Sequence, residues 1–117
     1  MASGAVHGVL DLRTYQLVAG AGAEFDRLFR EEALPMLERF GIQVAGYGPS
    51  IEDADRYWLA RSFDSLDDRK RQLDAFYGSE EWETRFDARV LGLIESYHVL
   101  VLERTAALPG ELAPPAD

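Results

Sequence analysis

Val9-Leu10-Asp11-Leu12-Arg13-Thr14-Tyr15-Gln16-Leu17 is the stretch on which the fold turns. Its alternation marks a strand, because successive side chains on a strand point to opposite faces. Leu10 and Leu12 lead one row, continued by Thr14 and Gln16, while Asp11, Arg13 and Tyr15 form the other. One row meets the helices supplied by the rest of the chain, and the other meets water or a second sheet. The expectation is that Asp11, Arg13 and Tyr15 face away from the helices. The carboxylate, guanidinium and phenol would then line a concave space, between sheets or under the helical layer, of the kind that holds a small molecule.

Outward from this strand, Gly20 and Gly22 make a loop and a helix runs from about residue 23 to Phe40. Phe25, Leu28, Phe29, Met36, Leu37 and Phe40 repeat along it at helical spacing, and Gly41 stops it. Pro35 lacks an amide donor and would clash with the carbonyl of Glu31, so a bend or break is expected there. Residues 42–48 read as a glycine-weakened second strand, 49–55 as an acidic turn, and Arg56 to Phe63 as a third strand. Ser65-Leu66-Asp67-Asp68 resembles a capping box that opens a helix with Leu66, Leu73, Phe76 and Tyr77 inward, ending at Gly78. Ser79 caps a further helical segment carrying Trp82, Phe86, Val90 and Leu93, and His98 to Arg104 is the last strand. The order β-α-β-β-α-β, with its second helical region split, belongs to the α+β class: a four-stranded antiparallel sheet with helices on one face.

The 117 residues allow one domain over 9–104, with a small-residue arm at 1–8 and a Pro/Ala-rich tail at 105–117, both expected to be flexible. Twelve basic against twenty-one acidic residues give a formal charge of −9, which argues against a nucleic-acid or anionic-membrane partner. No cysteine is present, so disulfides and thiolate metal sites are excluded. The start lacks a signal-peptide pattern, and no apolar run reaches the roughly 18–20 residues that span a bilayer. A cytoplasmic protein is expected. Leu59, Phe63, Val99, Leu100, Val101 and Leu102 supply more apolar strand surface than one helix-covered face can use. That surplus points to a homodimer in which two sheets pack face to face.

Several segments also resemble the NIPSNAP family. They are Leu12-Arg13-Thr14-Tyr15, Leu34-Pro35-x-Leu37-Glu38 with Gly41, Asp55-Arg56-Tyr57 leading to Arg61-Ser62-Phe63, and Ala75-Phe76-Tyr77-Gly78 with Trp82. The resemblance covers about residues 9–104. It implies the dimeric α/β-barrel superfamily, whose subunit is ferredoxin-like and whose activities include cofactor-free monooxygenation, polyketide cyclisation, lactone isomerisation, cyanohydrin cleavage and haem chemistry. Many relatives carry a Trp two residues before the third-strand Arg. Here Leu59 stands at that place and Trp58 one residue earlier, so Trp58 is expected on the opposite face.

The residues themselves offer a limited set of chemical groups. Asp11, Arg13 and Tyr15 are spaced so that neighbours stand roughly 7 Å apart. If the first and third strands are neighbours, Arg61 joins them, and two guanidiniums suit a carboxylate, enolate or phenolate. Arg13 would hold an anionic or polarised oxygen, Tyr15 would donate to it, and Asp11 would orient Arg13. An ion pair that merely fixes structure is the competing reading of the same residues. His98, placed at the start of its strand, is the candidate proton acceptor, with a hydrogen-bonded edge histidine as the alternative; His7, in the arm, is a weaker candidate. Tyr47, between Gly46 and Gly48, could form a pocket wall, or belong to a bulged strand whose glycines answer close packing. Gly46-x-Gly48 is not continued as a phosphate loop, Asp53-x-Asp55 lacks the rest of a calcium loop, and two lone histidines do not make a metal cage. No metal or cofactor is therefore expected. Two function classes follow. One is a cofactor-independent cyclase, isomerase, lyase or monooxygenase of secondary metabolism, acting on a mainly apolar metabolite with a carbonyl, phenol or carboxylate. The other is a non-catalytic dimer that binds a metabolite or a protein.

Overall fold

In the computed structural model the strands and helices follow one another in the expected order, and the structure describes residues 8–104. Apart from Gly8, the arm and the tail, with His7, lie outside the described residues. Strands β1 (Val9–Leu17), β2 (Gln43–Pro49), β3 (Arg56–Phe63) and β4 (Ile94–Glu103) form one antiparallel sheet in the order β2-β3-β1-β4. The ferredoxin-like α+β fold is thus present. The register places Asp11 opposite Arg61 on one side and Val101 on the other, and Tyr15 opposite Tyr57 and Tyr97. Facing residues share a face, so each row of β1 extends across its neighbours.

The first helical region is not one α-helix. Helix α1 (Gly22–Leu28) passes through a π-helical turn at Phe29–Ala33 into α2 (Leu34–Arg39). The Leu34 N–H reaches back to the carbonyl of Phe29, and Pro35 falls in the first turn of α2, where a missing donor costs little. The interruption expected from Pro35 therefore takes the form of a π turn just ahead of it. The start of α1 is capped from outside. The Asp55 carboxylate accepts from the Gly20 N–H at 2.8 Å and the Gly22 N–H at 2.9 Å. A Cβ at Gly22 would lie 2.0 Å from the Ala54 carbonyl oxygen, so only glycine fits. Helix α3 (Leu66–Tyr77) opens with the Ser65 hydroxyl accepting from the Asp68 N–H at 3.0 Å, one half of the expected capping box. A second π turn, Trp82–Phe86, leads into α4 (Asp87–Leu91).

All these helices lie on one face of the sheet. Phe25, Leu28, Phe29, Met36 and Leu37 from the first region, Leu73 and Phe76 from α3, and Phe86 pack on Leu17, Tyr57, Leu59 and Phe63. Three expectations change. Leu59 and Phe63 belong to this core, not to a surplus face, because they share the helix-facing row of β3 with Tyr57 and Arg61. Leu66, in the first turn of α3, is exposed. Strand β4 begins at Ile94, so His98 sits in its middle and not at its start.

The exposed apolar strand residues are those of β4, which is an edge: Tyr97, Val99, Leu100 and Val101. On the other face Trp58 lies over β2, where a Cβ at Gly46 would meet its ring at 2.7 Å. The β2–β3 register slips between Val44 and Gly46. The two glycines of β2 thus answer a bulge and a packed indole, and Trp58 occupies the face opposite Leu59 as expected.

Candidate functional site

The polar row of β1 faces the helices, contrary to the expectation. Asp11 is fully buried. Its Oδ1 accepts from Arg13 Nε at 3.1 Å and lies 3.4 Å from Arg61 Nη2, and its Oδ2 accepts from Arg69 Nε of α3 at 2.8 Å. A charged row can be interior here because the helix layer brings its own partner: Arg69 falls on the same stripe of α3 as Leu73 and Phe76. Burial works to raise the Asp11 pKa, but the Arg61 and Arg13 guanidiniums and the hydrogen bonds from Arg13 and Arg69 outweigh it. The carboxyl is held below its ordinary range.

Next along β1, Arg13 and Tyr15 stand beside Tyr77, the last residue of α3. The guanidinium carbons of Arg13 and Arg61 lie 5.6 and 5.7 Å from the centroid of the Tyr77 ring, within cation–π range. Arg61 is fully buried. Its Nη1 donates to the Tyr77 hydroxyl at 2.9 Å, and its Nε–H has no partner. Among the described residues, neither the Tyr15 hydroxyl nor the terminal nitrogens of Arg13 make a hydrogen bond, and the Tyr77 hydroxyl accepts one without donating any. Burial, followed by the neighbouring Tyr77, drives the Tyr15 pKa far upward, so Tyr15 serves as a donor and not as a base.

These groups border a cavity and an adjoining cleft. The cavity, about 40 Å³, is walled by Phe29, Leu59 and Phe76 together with Arg61. The cleft, about 330 Å³, is lined by Arg13, Ile94, Leu91 and Tyr97. Tyr15, Tyr77, Trp82 and Val90 border both. The π turns converge on this place, the first contributing Phe29 and Ala33 and the second Trp82. Each inserts a residue that shifts the helical face, a device that recurs at functional sites. Tyr77 and Trp82 meet edge to face at 4.9 Å and close the wall.

Four of the six expected site residues, Asp11, Arg13, Tyr15 and Arg61, come together. His98 does not, because it pairs with Thr14 and so stands on the opposite face of the sheet. Tyr47 faces the helices but packs its ring on Phe29 at 5.0 Å, beside the cavity and outside its lining. Arg69, Tyr77 and Trp82 are additional members. Arg69 was legible as a charged residue on the apolar stripe of α3; Tyr77 and Trp82 carried only the signal of core aromatics. Among the described residues no group of His, Asp or Glu is arranged to hold a metal. Asp11 is saturated by its arginines and Asp87 accepts from the Trp82 indole, and the polar groups left without partners are donors. The arrangement can therefore bind an oxygen acceptor and stabilise negative charge on it.

A family model described as NIPSNAP matches residues 10–109. Among solved structures, the chain is similar to an uncharacterized NIPSNAP-like domain protein from Burkholderia xenovorans at 19% identity and a TM-score of 0.81, covering 95% of each chain. It is similar at 25% identity to a NIPSNAP family protein from Agrobacterium tumefaciens, with a TM-score of 0.79, covering 88% of this chain and 98% of that one. A putative antibiotic biosynthesis monooxygenase from Nitrosomonas europaea shares the fold at 11% identity and a TM-score of 0.67, with 90% and 97% covered. No curated protein matches the chain.

Proposed function

The chain belongs to the NIPSNAP family, and from that premise we propose that it binds a small, mainly apolar molecule through an oxygen acceptor and stabilises an oxyanion on it without a cofactor. The observation that carries this reading is the set of donors left without acceptors at the border of cavity and cleft: Tyr15 Oη, Tyr77 Oη, Arg61 Nε and the outer nitrogens of Arg13. In a site closed by rings such donors act on developing charge far more strongly than in water. Tyr15, with its raised pKa, stays neutral and can donate a hydrogen bond to an enolate or phenolate oxygen. Cyclisation, isomerisation and lyase cleavage all pass through such an oxyanion, and oxygenation of an electron-rich enolate or phenolate begins from one. A non-catalytic carrier of the same molecule is the second reading. It is favoured by the place of His98, which removes the expected proton acceptor from the pocket.

We further propose a homodimer, with the β4 residues Leu100 and Leu102 and the β1 residue Leu12, which share the face turned from the helices, covered by a second copy. Light scattering should return about twice 13.1 kDa, and a stable monomer would remove this part of the reading. The described helices include none long and apolar enough to cross a membrane.

Arg13→Ala and Tyr15→Phe test the pocket directly, with thermal stability and small-molecule binding measured on the same preparations. Loss of binding with the melting temperature preserved supports the site. Unchanged binding with a lower melting temperature would assign Arg13 to structure alone.

A further inference from the structure

Resting on the reading of this same pocket, we infer that its ligand is taken up as a preformed carboxylate on a flat aromatic body: an aryl carboxylate, bound with its head group at Arg61, Tyr15 and Tyr77 and its ring in the cleft. The first argument is charge. Three guanidiniums, Arg13, Arg61 and Arg69, converge on a single carboxylate, Asp11, whose side chain is fully buried, as is that of Arg61. Within that cluster two positive charges have no counterion. Arg61 is buried while Arg13 and Arg69 keep 14% and 23% of their side chains exposed, so water screens the excess only in part; an anion offsets it where a neutral ketone or phenol leaves it standing. Asp11 cannot relieve it further, since both its oxygens are already engaged and the Arg61 contact, at 3.4 Å, is the longest of its set.

The second argument is the orphan donor. Arg61 lines the inner cavity and spends its Nη groups on Tyr77 and Asp11, yet its buried Nε–H finds nothing. A native interior seldom leaves such a group unsatisfied unless something else completes it. An acceptor of two oxygens, placed beside the neighbouring hydroxyl protons of Tyr15 and Tyr77, satisfies more of these donors at once than a single carbonyl does. The third argument is room. The inner cavity of about 40 Å³ holds no more than a few waters, so the body of the ligand lies in the adjoining cleft of about 330 Å³. Four aromatic residues border that cleft, Tyr15, Tyr77, Trp82 and Tyr97, with Ile94 and Leu91 beside them. Rings of this kind receive a ring. Asp87, the one acidic group in the cleft lining, accepts from the Trp82 indole N–H at 3.3 Å and is absent from the lining of the inner cavity, where Arg61 lies.

The test uses the full chain, low salt and four probes of one shape: 1-naphthoate, its methyl ester, 1-naphthol and 1-naphthyl phosphate, with binding followed by calorimetry and competition. Naphthoate should bind roughly 10- to 100-fold more tightly than the ester, the range expected for charge-assisted hydrogen bonds. Arg13→Met should weaken naphthoate about tenfold or more and the ester by a clearly smaller factor, a charge-dependent split that a merely structural arginine would not produce. The ester or the naphthol binding as tightly as the acid overturns the carboxylate inference and leaves the pocket reading standing. Tighter binding of the phosphate overturns it in favour of a tetrahedral dianion. Failure of all four probes overturns this inference together with the proposed pocket.

Discussion

The two faces of the sheet invert the usual assignment of polar and apolar rows. Beneath the helices, β1 presents Asp11, Arg13 and Tyr15, and β3 presents Arg61; on the other face β1 presents Leu10 and Leu12, with Leu100 and Leu102 beside them on β4. The helix-facing row is interior because its hub, Asp11, is met by Arg61 of β3 and Arg69 of α3, and Arg61 donates in turn to Tyr77 at the end of α3. The opposite row is closed at Leu10 and Ala60 and open at Thr14, His98 and Leu100. Polarity alone therefore does not say which way a strand faces. What decides it is whether the buried polar groups can be satisfied, and here Arg61 Nε is left over at the cavity.

Removing the hub of the helix-facing row should have the largest effect. Asp11→Ala leaves Arg61 buried without a carboxylate, and loss of one partner of a buried ion pair costs about 3–5 kcal/mol. Chemical denaturation should report most of this range; a loss within experimental error would mean that the arginines do not depend on Asp11 and that the comparison of faces has been misjudged. The pH dependence sharpens the point. Because the folded-state pKa of Asp11 is depressed, its contribution is present above the ordinary carboxylate value of about 3.9 and is lost as pH falls through the lower folded value. Asp11→Asn should lose stability at neutral pH and show a shallower acid limb than the native chain.

On the opposite face the expected effect is smaller and steric. A Cβ at Gly46 would lie 2.7 Å from the Trp58 ring, so Gly46→Ala forces the indole or the β2 bulge to move, at about 1–3 kcal/mol. The same substitution in a Trp58→Leu background should cost much less, and a double-mutant cycle showing no coupling would reject the contact.

The element order was legible because hydrophobic spacing is a local property. Met36, Leu37, Leu73 and Phe76 fall where helical periodicity puts them. The facing of β1 was not legible, since it depends on a contact between Arg69 and Asp11 separated by 58 positions. The start of β4 escaped for a different reason. As an edge strand paired only with β1, it tolerates Glu95 and Ser96 exposed on its surface and so shows no burial rhythm before His98. The site was legible in part. Asp11, Arg13 and Tyr15 could be recognised as one polar row and Arg61 as their neighbour, whereas Tyr77 and Trp82 looked like any aromatic residue on an apolar stripe.

Tyr15→Phe separates function from stability on the helix-facing row. The Tyr15 hydroxyl has no hydrogen-bond partner among the described residues, so its removal should shift stability by no more than about 0.5 kcal/mol, and could raise it. Its ring contacts with Phe25 at 5.4 Å and Tyr97 at 6.2 Å remain. Affinity for an anionic ligand should fall about tenfold, the worth of one lost hydrogen bond near 1.4 kcal/mol. A melting temperature that collapses while binding persists would show the hydroxyl to be structural.

The smallest effect is expected at His98, and it tests the comparison from the other side. As the one histidine among the described residues, it is where an imidazole proton acceptor would be sought. Its pairing with Thr14 sends its side chain to the face turned from the helices, while Arg13, one step along β1, points beneath them. His98→Ala should therefore change neither ligand affinity nor its pH profile, and should move stability by no more than about 0.5 kcal/mol, as for an exposed side chain without a buried partner. The measurement is a titration of binding from pH 5 to 8 for the native chain and the variant side by side. If His98→Ala changes the affinity or the shape of that profile, the two faces communicate. The separation of a ligand-binding interior from an outward apolar face, on which the functional reading depends, would then have to be given up.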